Sequence, residues 1–335
     1  MVRSMAKGVI RGMALIGPAM PVVLIGLACL AISIPVTVQS ETLQERVEEI
    51  WKRAPIARFQ TPDHTTRLAF RALILDLAAA PAVAPHAATA AGQAMGLELI
   101  TCNDREIVLL AEQGDPRGAG IYLFKAEPPP AHPVLLEAPH SLTDIDTGTI
   151  ALALFLDSNA SGLFMNSMKR RCNNQDGEDD VSESNDLCDL AHNPDTLYQT
   201  ATEAYFMVRP ETLLIQLHGF GAYKELPGSD EDMVILSNGR RYEHPGWPMN
   251  LCIGLFSRVF GDRVLVFGRD TNLFGATTNV QGGFVNRFRR GAFLHVEMSR
   301  RLRRGLLNSE EQRAAFHGVW RRIMNGWITG GRGAR

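Results

Sequence analysis

Lysine is scarce in this 335-residue chain. Five lysines stand against 29 arginines, and the 34 basic residues nearly balance 36 acidic ones for a net charge of -2. A chain so close to neutral gives no ground for a nucleic-acid partner. With 45% hydrophobic and 21% charged residues it is also not a disordered tail, a collagen or a polytopic membrane protein. Several catalytic signatures are missing too. There is no Gly-x-Ser-x-Gly elbow, so His218-Gly219-Phe220-Gly221 has no serine nucleophile to serve as an esterase oxyanion loop. There is no Walker A sequence, and Gly219-x-Gly221 lacks the third glycine of a dinucleotide fingerprint. The absence of His-Glu-x-x-His excludes a zincin, and the absence of Cys-x-x-Cys speaks against a cysteine-held metal. No internal repeat is visible.

What is present begins with a targeting pattern. Arg3, Lys7 and Arg11 precede an uncharged stretch from Gly12 to Ser40, in which Val22 to Ile34 is apolar apart from Gly26 and Ser33. That run has the length of a signal-peptide core, shorter than the ~20 residues of a membrane span. Val38-Gln39-Ser40 offers a cleavage point before Glu41, so residues 1–40 are expected to direct export to the periplasm or beyond. The alternative is an uncleaved anchor through residues 12–40, with Pro18, Pro21 and Pro35 inside it; Cys29 fits a lipoprotein box poorly. Cleavage would leave Cys102, Cys172, Cys188 and Cys252. Because the stretch between Cys172 and Cys188 is polar and acidic with no core-forming run, a Cys172–Cys188 bridge is expected, with Cys102–Cys252 by default.

Helical spacing of apolar residues predicts helices over 41–56 and 65–80, which together make a helical segment over 41–96. Short strands are expected at 97–101, 106–110 and 121–124, forming a small β appendage. From there strands (134–137, 162–165, 212–217, 263–267, 293–296) alternate with helices (148–156, 195–207, 247–260, 308–323). This alternation predicts an α/β domain over 97–335 with a mixed, mainly parallel sheet covered on both faces.

In such sheets ligands sit beyond the carboxyl ends of the strands. One strand ends in Pro139-His140-Ser141-Leu142-Thr143-Asp144-Ile145-Asp146, an imidazole followed four and six residues later by carboxylates that can converge on one cation. Another ends in Leu217-His218-Gly219. Two histidines and one carboxylate leave a fourth position open, the arrangement of a catalytic zinc. A third strand ends at Val296-Glu297-Met298-Ser299, which puts Glu297 where a general base would stand.

At these residues the chain resembles the N-formylglutamate amidohydrolase-like and poly-γ-glutamate hydrolase-like enzymes, themselves similar in fold to zinc carboxypeptidases. Pro139-His140-Ser141-x-x-Asp144, Leu217-His218-Gly219 and Glu297-x-Ser299-x-x-Leu302-Arg303 carry the resemblance, over about residues 130–305. Asp146-Thr147-Gly148-Thr149 also looks like the Glu-Pro-Gly-Thr of the phage enzymes. The second ligand is therefore Asp144 by the ungapped match, with Asp146 as the alternative. The resemblance implies one zinc ion held by His140, Asp144 and His218, with Glu297 as the base. It also implies substrate-side roles for His192, for Asn279 and for Arg287, which would clamp a substrate carboxylate from a polar loop over 278–287. The expected protein is an exported zinc-dependent hydrolase that cuts an amide or peptide bond near a carboxylate in a small peptide or N-acyl amino acid. The alternative is an envelope protein on the same fold that binds peptide or glycan without turnover.

Overall fold

A computed structural model describes residues 42–330, apart from 83–84, 103–105, 171–186, 241–245 and 289. Thr42 opens the first helix, α1 (Leu43–Lys52), with a capping box: its hydroxyl accepts from the Glu45 N–H while the Glu45 carboxylate accepts from the Thr42 N–H. Leu43, Val47 and Ile50 fall on one face and are buried. Asp63 caps α2 (His64–Ala79), and α3 (Pro85–Ala94) follows.

The strands are β1 (Leu97–Cys102), β2 (Ile107–Glu112), β3 (Ile121–Lys125), β4 (Val134–Ala138), β5 (Gly162–Met165), β6 (Leu213–Phe220), β7 (Val234–Ser237), β8 (Val264–Val266) and β9 (Ala292–Ser299). Between and after them run α4 (Thr147–Leu156), α5 (Leu197–Val208), α6 (Trp247–Phe260), α7 (Val280–Phe288), α8 (Arg300–Asn308) and α9 (Glu310–Ile328). All nine strands form one sheet in the order β1-β2-β3-β5-β4-β6-β9-β7-β8. The first three strands are thus the edge of the main sheet and not an appendage. The middle, β5-β4-β6-β9, is parallel, while β1-β2, β2-β3, β3-β5 and β7-β9 are antiparallel. The sheet is therefore evenly mixed, with its parallel part confined to the centre and one outer pair, β7-β8.

Strands β4, β5 and β6 are buried on both faces, as their unbroken apolar runs require. One core lies under α4, α6, α8 and α9, and contains Leu136, Phe155, Ile215, Phe256 and Trp320. The opposite core lies under α2 and α5, and contains Phe70, Tyr122, Phe164, Tyr198 and Phe206. β4 continues through α4 on the first face to β5 on one side, and β5 continues through α5 on the second face to β6 on the other side. Chain direction across the sheet reverses at β4, which opens a crevice beyond the carboxyl ends of β4 and β6.

Two expectations fail within this frame. Residues 280–288 are a helix rather than a loop, because Gln281, Gly282 and Val285 pack inward. Cys102 ends β1 at one edge of the sheet, whereas Cys252 lies buried in α6 toward the other edge; both are thiols, and the sheet between them forbids the Cys102–Cys252 bridge. Cys172, and with it the expected Cys172–Cys188 bridge, lies outside the described residues, as do residues 1–40. Among the described residues no helix is long and apolar enough to cross a membrane.

Candidate metal centre

Past the end of β4 the chain coils back on itself. The Thr143 and Asp144 N–H groups both donate to the His140 carbonyl, at 3.0 and 2.9 Å, so Asp144 lies one turn above His140. The Asn166 amide holds the Pro139 carbonyl at 3.0 Å, and Ser141 bonds back to the Ala138 carbonyl. Opposite this loop, β6 and β9 pair in parallel register with His218 beside Glu297 and Gln216 beside His295. The Gly219 N–H donates to Asp144 Oδ2 at 3.0 Å and ties the loop to β6.

Three donor atoms meet in the crevice. His140 Nδ1 lies 3.1 Å from His218 Nδ1, and Asp144 Oδ2 lies 3.4 Å from each of them. A tetrahedral site with metal–donor bonds of about 2.0–2.1 Å has donor–donor edges of about 3.3–3.4 Å, close to this triangle. The far side of each imidazole settles which nitrogen carries the proton. His140 Nε2 donates to Asp189 Oδ1 at 2.8 Å, and His218 Nε2 donates to Gln216 Oε1 at 2.9 Å. Both Nδ1 atoms then present lone pairs to a carboxylate oxygen, an arrangement that needs a cation or a shared proton at its centre.

Titration follows the same logic. Burial would lower His140, but the Asp144 and Asp189 carboxylates outweigh it and push the imidazole up to about 9. Burial pushes His218 down to about 4. Asp144 would be raised by burial, yet the two imidazoles hold it well below the usual carboxylate range.

Glu297 stands beside the triangle, 8% exposed, with Oε2 lacking a hydrogen-bond partner among the described residues. Burial and the Asp144 charge raise its carboxyl well above the usual range. Its Oε1 is 3.7 Å from His295 Nε2, and His218, His295 and Glu297 form a second group whose ligand atoms could reach one ion. These residues share a cavity of about 990 Å³ with Arg170, His192, Asn279 and an aromatic wall of Phe220, Tyr223 and Phe274.

The structure therefore brings His140, Asp144, His218 and Glu297 together. Asp146 is left out: it precedes α4 in the left-handed region at φ 74°, caps nothing, and belongs to neither donor group. His192 reaches the cavity wall with its Nδ1 on Asp189 Oδ2 at 2.9 Å. Asn279 lines the cavity, but its amide is engaged with Gln216 Oε1 at 2.6 Å and its Oδ1 with the Gly282 N–H at the start of α7. Arg287 lies on the outward face of α7, exposed and away from the cavity, because the helix turns its Gln281 and Val285 side inward. Among the described residues, Arg170 is a cation on the cavity wall, and it bonds Asp189 Oδ2 at 2.6 Å.

Sequence reasoning overlooked His295, Asp189 and Gln216. For His295 and Gln216 the signal was present: in a strand, residues two apart share a face, so His295 accompanies Glu297 and Gln216 accompanies His218. Nothing in sequence spacing puts Asp189 against His140.

No known family and no curated protein matches the chain. Among solved structures it is similar to zinc-free YndL, at 11% identity and TM-score 0.35 over 63% of this chain and 90% of that one. It is similar to N-formylglutamate amidohydrolase of Ralstonia eutropha, at 13% identity and TM-score 0.33, over 60% and 93% of the two chains. It is also similar to succinylglutamate desuccinylase of Chromobacterium violaceum, at 13% identity and TM-score 0.36, over 68% and 71%. This is a distant likeness of fold, which leaves function to be judged from the side chains.

Proposed function

We propose that this chain is a zinc-dependent hydrolase of amide bonds in small carboxylate-bearing substrates such as N-acyl amino acids or short peptides. The supporting observation is the triangle of His140 Nδ1, His218 Nδ1 and Asp144 Oδ2, two lone pairs and a carboxylate oxygen at metal-site spacing. A zinc ion held there would polarise a carbonyl and acidify a water. Glu297 is the base: its carboxyl lies in the same cavity with Oε2 unpartnered among the described residues, placed to take a proton from water and return it to the leaving nitrogen. Arg170 supplies a cation on the cavity wall for a substrate carboxylate, the role expected of Arg287. Export rests on residues 1–40 alone, as does a tether through residues 12–40.

The test is metal analysis and assay of the protein from Glu41 onward against N-acyl amino acids and γ-glutamyl peptides. About one zinc per chain is expected, lost in His140→Ala and His218→Ala. Asp144→Asn should weaken zinc binding about 100-fold or more, while Asp146→Asn leaves it within about two-fold. Glu297→Gln should keep the metal and lose turnover by about 10²–10⁴-fold. Stoichiometric zinc in the double histidine variant would overturn the metal site. A Glu297→Gln protein that binds substrate while the parent shows no turnover on any substrate would favour the binding-protein alternative.

A further inference from the structure

The charge that is hardest to explain lies one layer beneath the metal triangle. Glu137, the fourth of the five residues of β4, is fully buried, and burying a carboxylate without a cation is costly: burial pushes this one up to about 7. The donors that reach it are neutral: the Thr202 hydroxyl of α5 at 2.6 Å and the Gln216 amide nitrogen of β6 at 2.8 Å. Apolar residues occupy the rest of β4, so packing alone does not call for an acid there.

Following the hydrogen bonds outward gives a purpose. Glu137 Oε2 accepts from the Gln216 NH₂, and this aims Gln216 Oε1 the opposite way. Oε1 accepts from the Asn279 amide at 2.6 Å and from His218 Nε2 at 2.9 Å. A second acceptor for the same NH₂ is Gln281 Oε1 at 3.2 Å, whose own amide is held by the Leu190 carbonyl at 2.8 Å. Gln216 is thus held from both ends: Glu137 and Gln281 accept from its NH₂, and Asn279, whose own Oδ1 is held by the Gly282 N–H, donates to its Oε1 beside His218; the shortest bond to the NH₂ is the one to Glu137.

We propose that Glu137 is a positioning residue that, through Gln216, fixes the proton of His218 on Nε2 and so keeps Nδ1 available as a metal ligand. Glu137 touches neither substrate nor metal, and this role rests on the metal site proposed above. His140 is oriented directly by a carboxylate, Asp189, whereas His218 is oriented by a carboxylate acting through an amide.

Replacing Glu137 by Leu removes the acceptor that draws the Gln216 NH₂ inward. Glu137→Gln alone would be a weaker perturbation, because the new amide can turn its oxygen to Gln216 and its NH₂ to the Thr202 hydroxyl, which then donates to the Tyr198 carbonyl at 3.2 Å. Without the acceptor Gln216 is free to turn over, and its NH₂ then meets His218 Nε2 and moves the imidazole proton to Nδ1. Exchanging the two groups, Glu137→Gln together with Gln216→Glu, restores the directions: the amide at 137 donates to the carboxylate at 216, which accepts from His218 and Asn279. The exchange loses the bond to Gln281, so recovery should be partial.

The experiment measures zinc affinity by chelator competition, with melting followed in parallel, for the parent from Glu41 onward, for Glu137→Leu and for the exchanged double variant. Glu137→Leu is expected to weaken zinc binding about 10–100-fold, and the exchange to recover at least half of that loss on a logarithmic scale. Should Glu137→Leu fail to fold, a double variant that folds and binds zinc supports the positioning role equally. Parent-like affinity in Glu137→Leu, or no recovery on exchange, overturns the positioning role while leaving the metal site standing. A parent that binds no zinc overturns both.

Discussion

At the proposed metal site a proton and a metal ion would compete for one atom, His140 Nδ1. In the metal-free fold the carboxylates of Asp144 and Asp189 outweigh burial and push this imidazole up to about 9, against about 6.5 for an unperturbed histidine. At pH 7 it is therefore protonated, and metal binding must expel that proton. His218, pushed down to about 4 by burial, is already neutral and expels none. Calorimetry of zinc binding at pH 7 in buffers of different ionisation enthalpy should report at least one proton released per ion, with apparent affinity rising about tenfold or more per pH unit toward pH 9. Release of no proton would show that His140 is not a ligand. Stability without metal follows the opposite course. A pKa raised on folding favours the folded state fully below about 6.5, and this contribution disappears as pH rises through about 9. The chelated protein should accordingly be weakest, and the gain from zinc largest, on the alkaline side.

At the scale of elements, the site depends on how closely α8 approaches the end of β6. Arg303 of α8 is 3% exposed and reaches the carbonyls of Ile145 at 2.7 Å and Phe220 at 3.2 Å, and also that of Met298. One side chain thus pins the His140 loop, β6 and β9 together. It passes where Gly219 has no side chain, for a Cβ there would overlap the Arg303 guanidinium. Gly219→Ala should destabilise the protein by about 1–3 kcal/mol in denaturant unfolding and weaken zinc binding through displacement of the Asp144 partner N–H. An unchanged midpoint would mean that Arg303 moves freely and pins nothing.

The same elements show what a sequence reveals. β4, β5 and β6 were legible because strands buried on both faces are apolar throughout, and a histidine or acid at the end of such a run stands out. β7 was missed because four residues, Val234 to Ser237, carry too little periodicity. α7 read as a loop because Asn279, Gly282 and Gly283 are turn formers; it is a helix because Asn279 caps its start and β9 and α5 pack against it. Arg287 was misplaced for that reason alone.

A metal bound at the proposed site would act on the whole molecule as well as on the chemistry. His140, Asp144 and His218 project from β4 and β6 at the centre of a nine-stranded sheet with a core on either face. Small metal-folded domains are unfolded without their ion because the ligands replace a core. Here the core exists independently, so chelation should leave the secondary structure intact. The metal should still stabilise by mass action, since the donor triangle exists only in the folded chain: at 100 times the dissociation constant, binding adds about 2.7 kcal/mol. Unfolding entropy near 2.1 cal/mol/K per residue gives a described domain of this size about 0.6 kcal/mol/K, so zinc should raise the melting temperature by about 4–5 °C. Melting followed by circular dichroism with zinc and with excess chelator tests this. Loss of the far-ultraviolet signal on chelation at 25 °C would mean that the metal organises the sheet, and an identical melting temperature in both conditions would mean that no ion occupies the crevice.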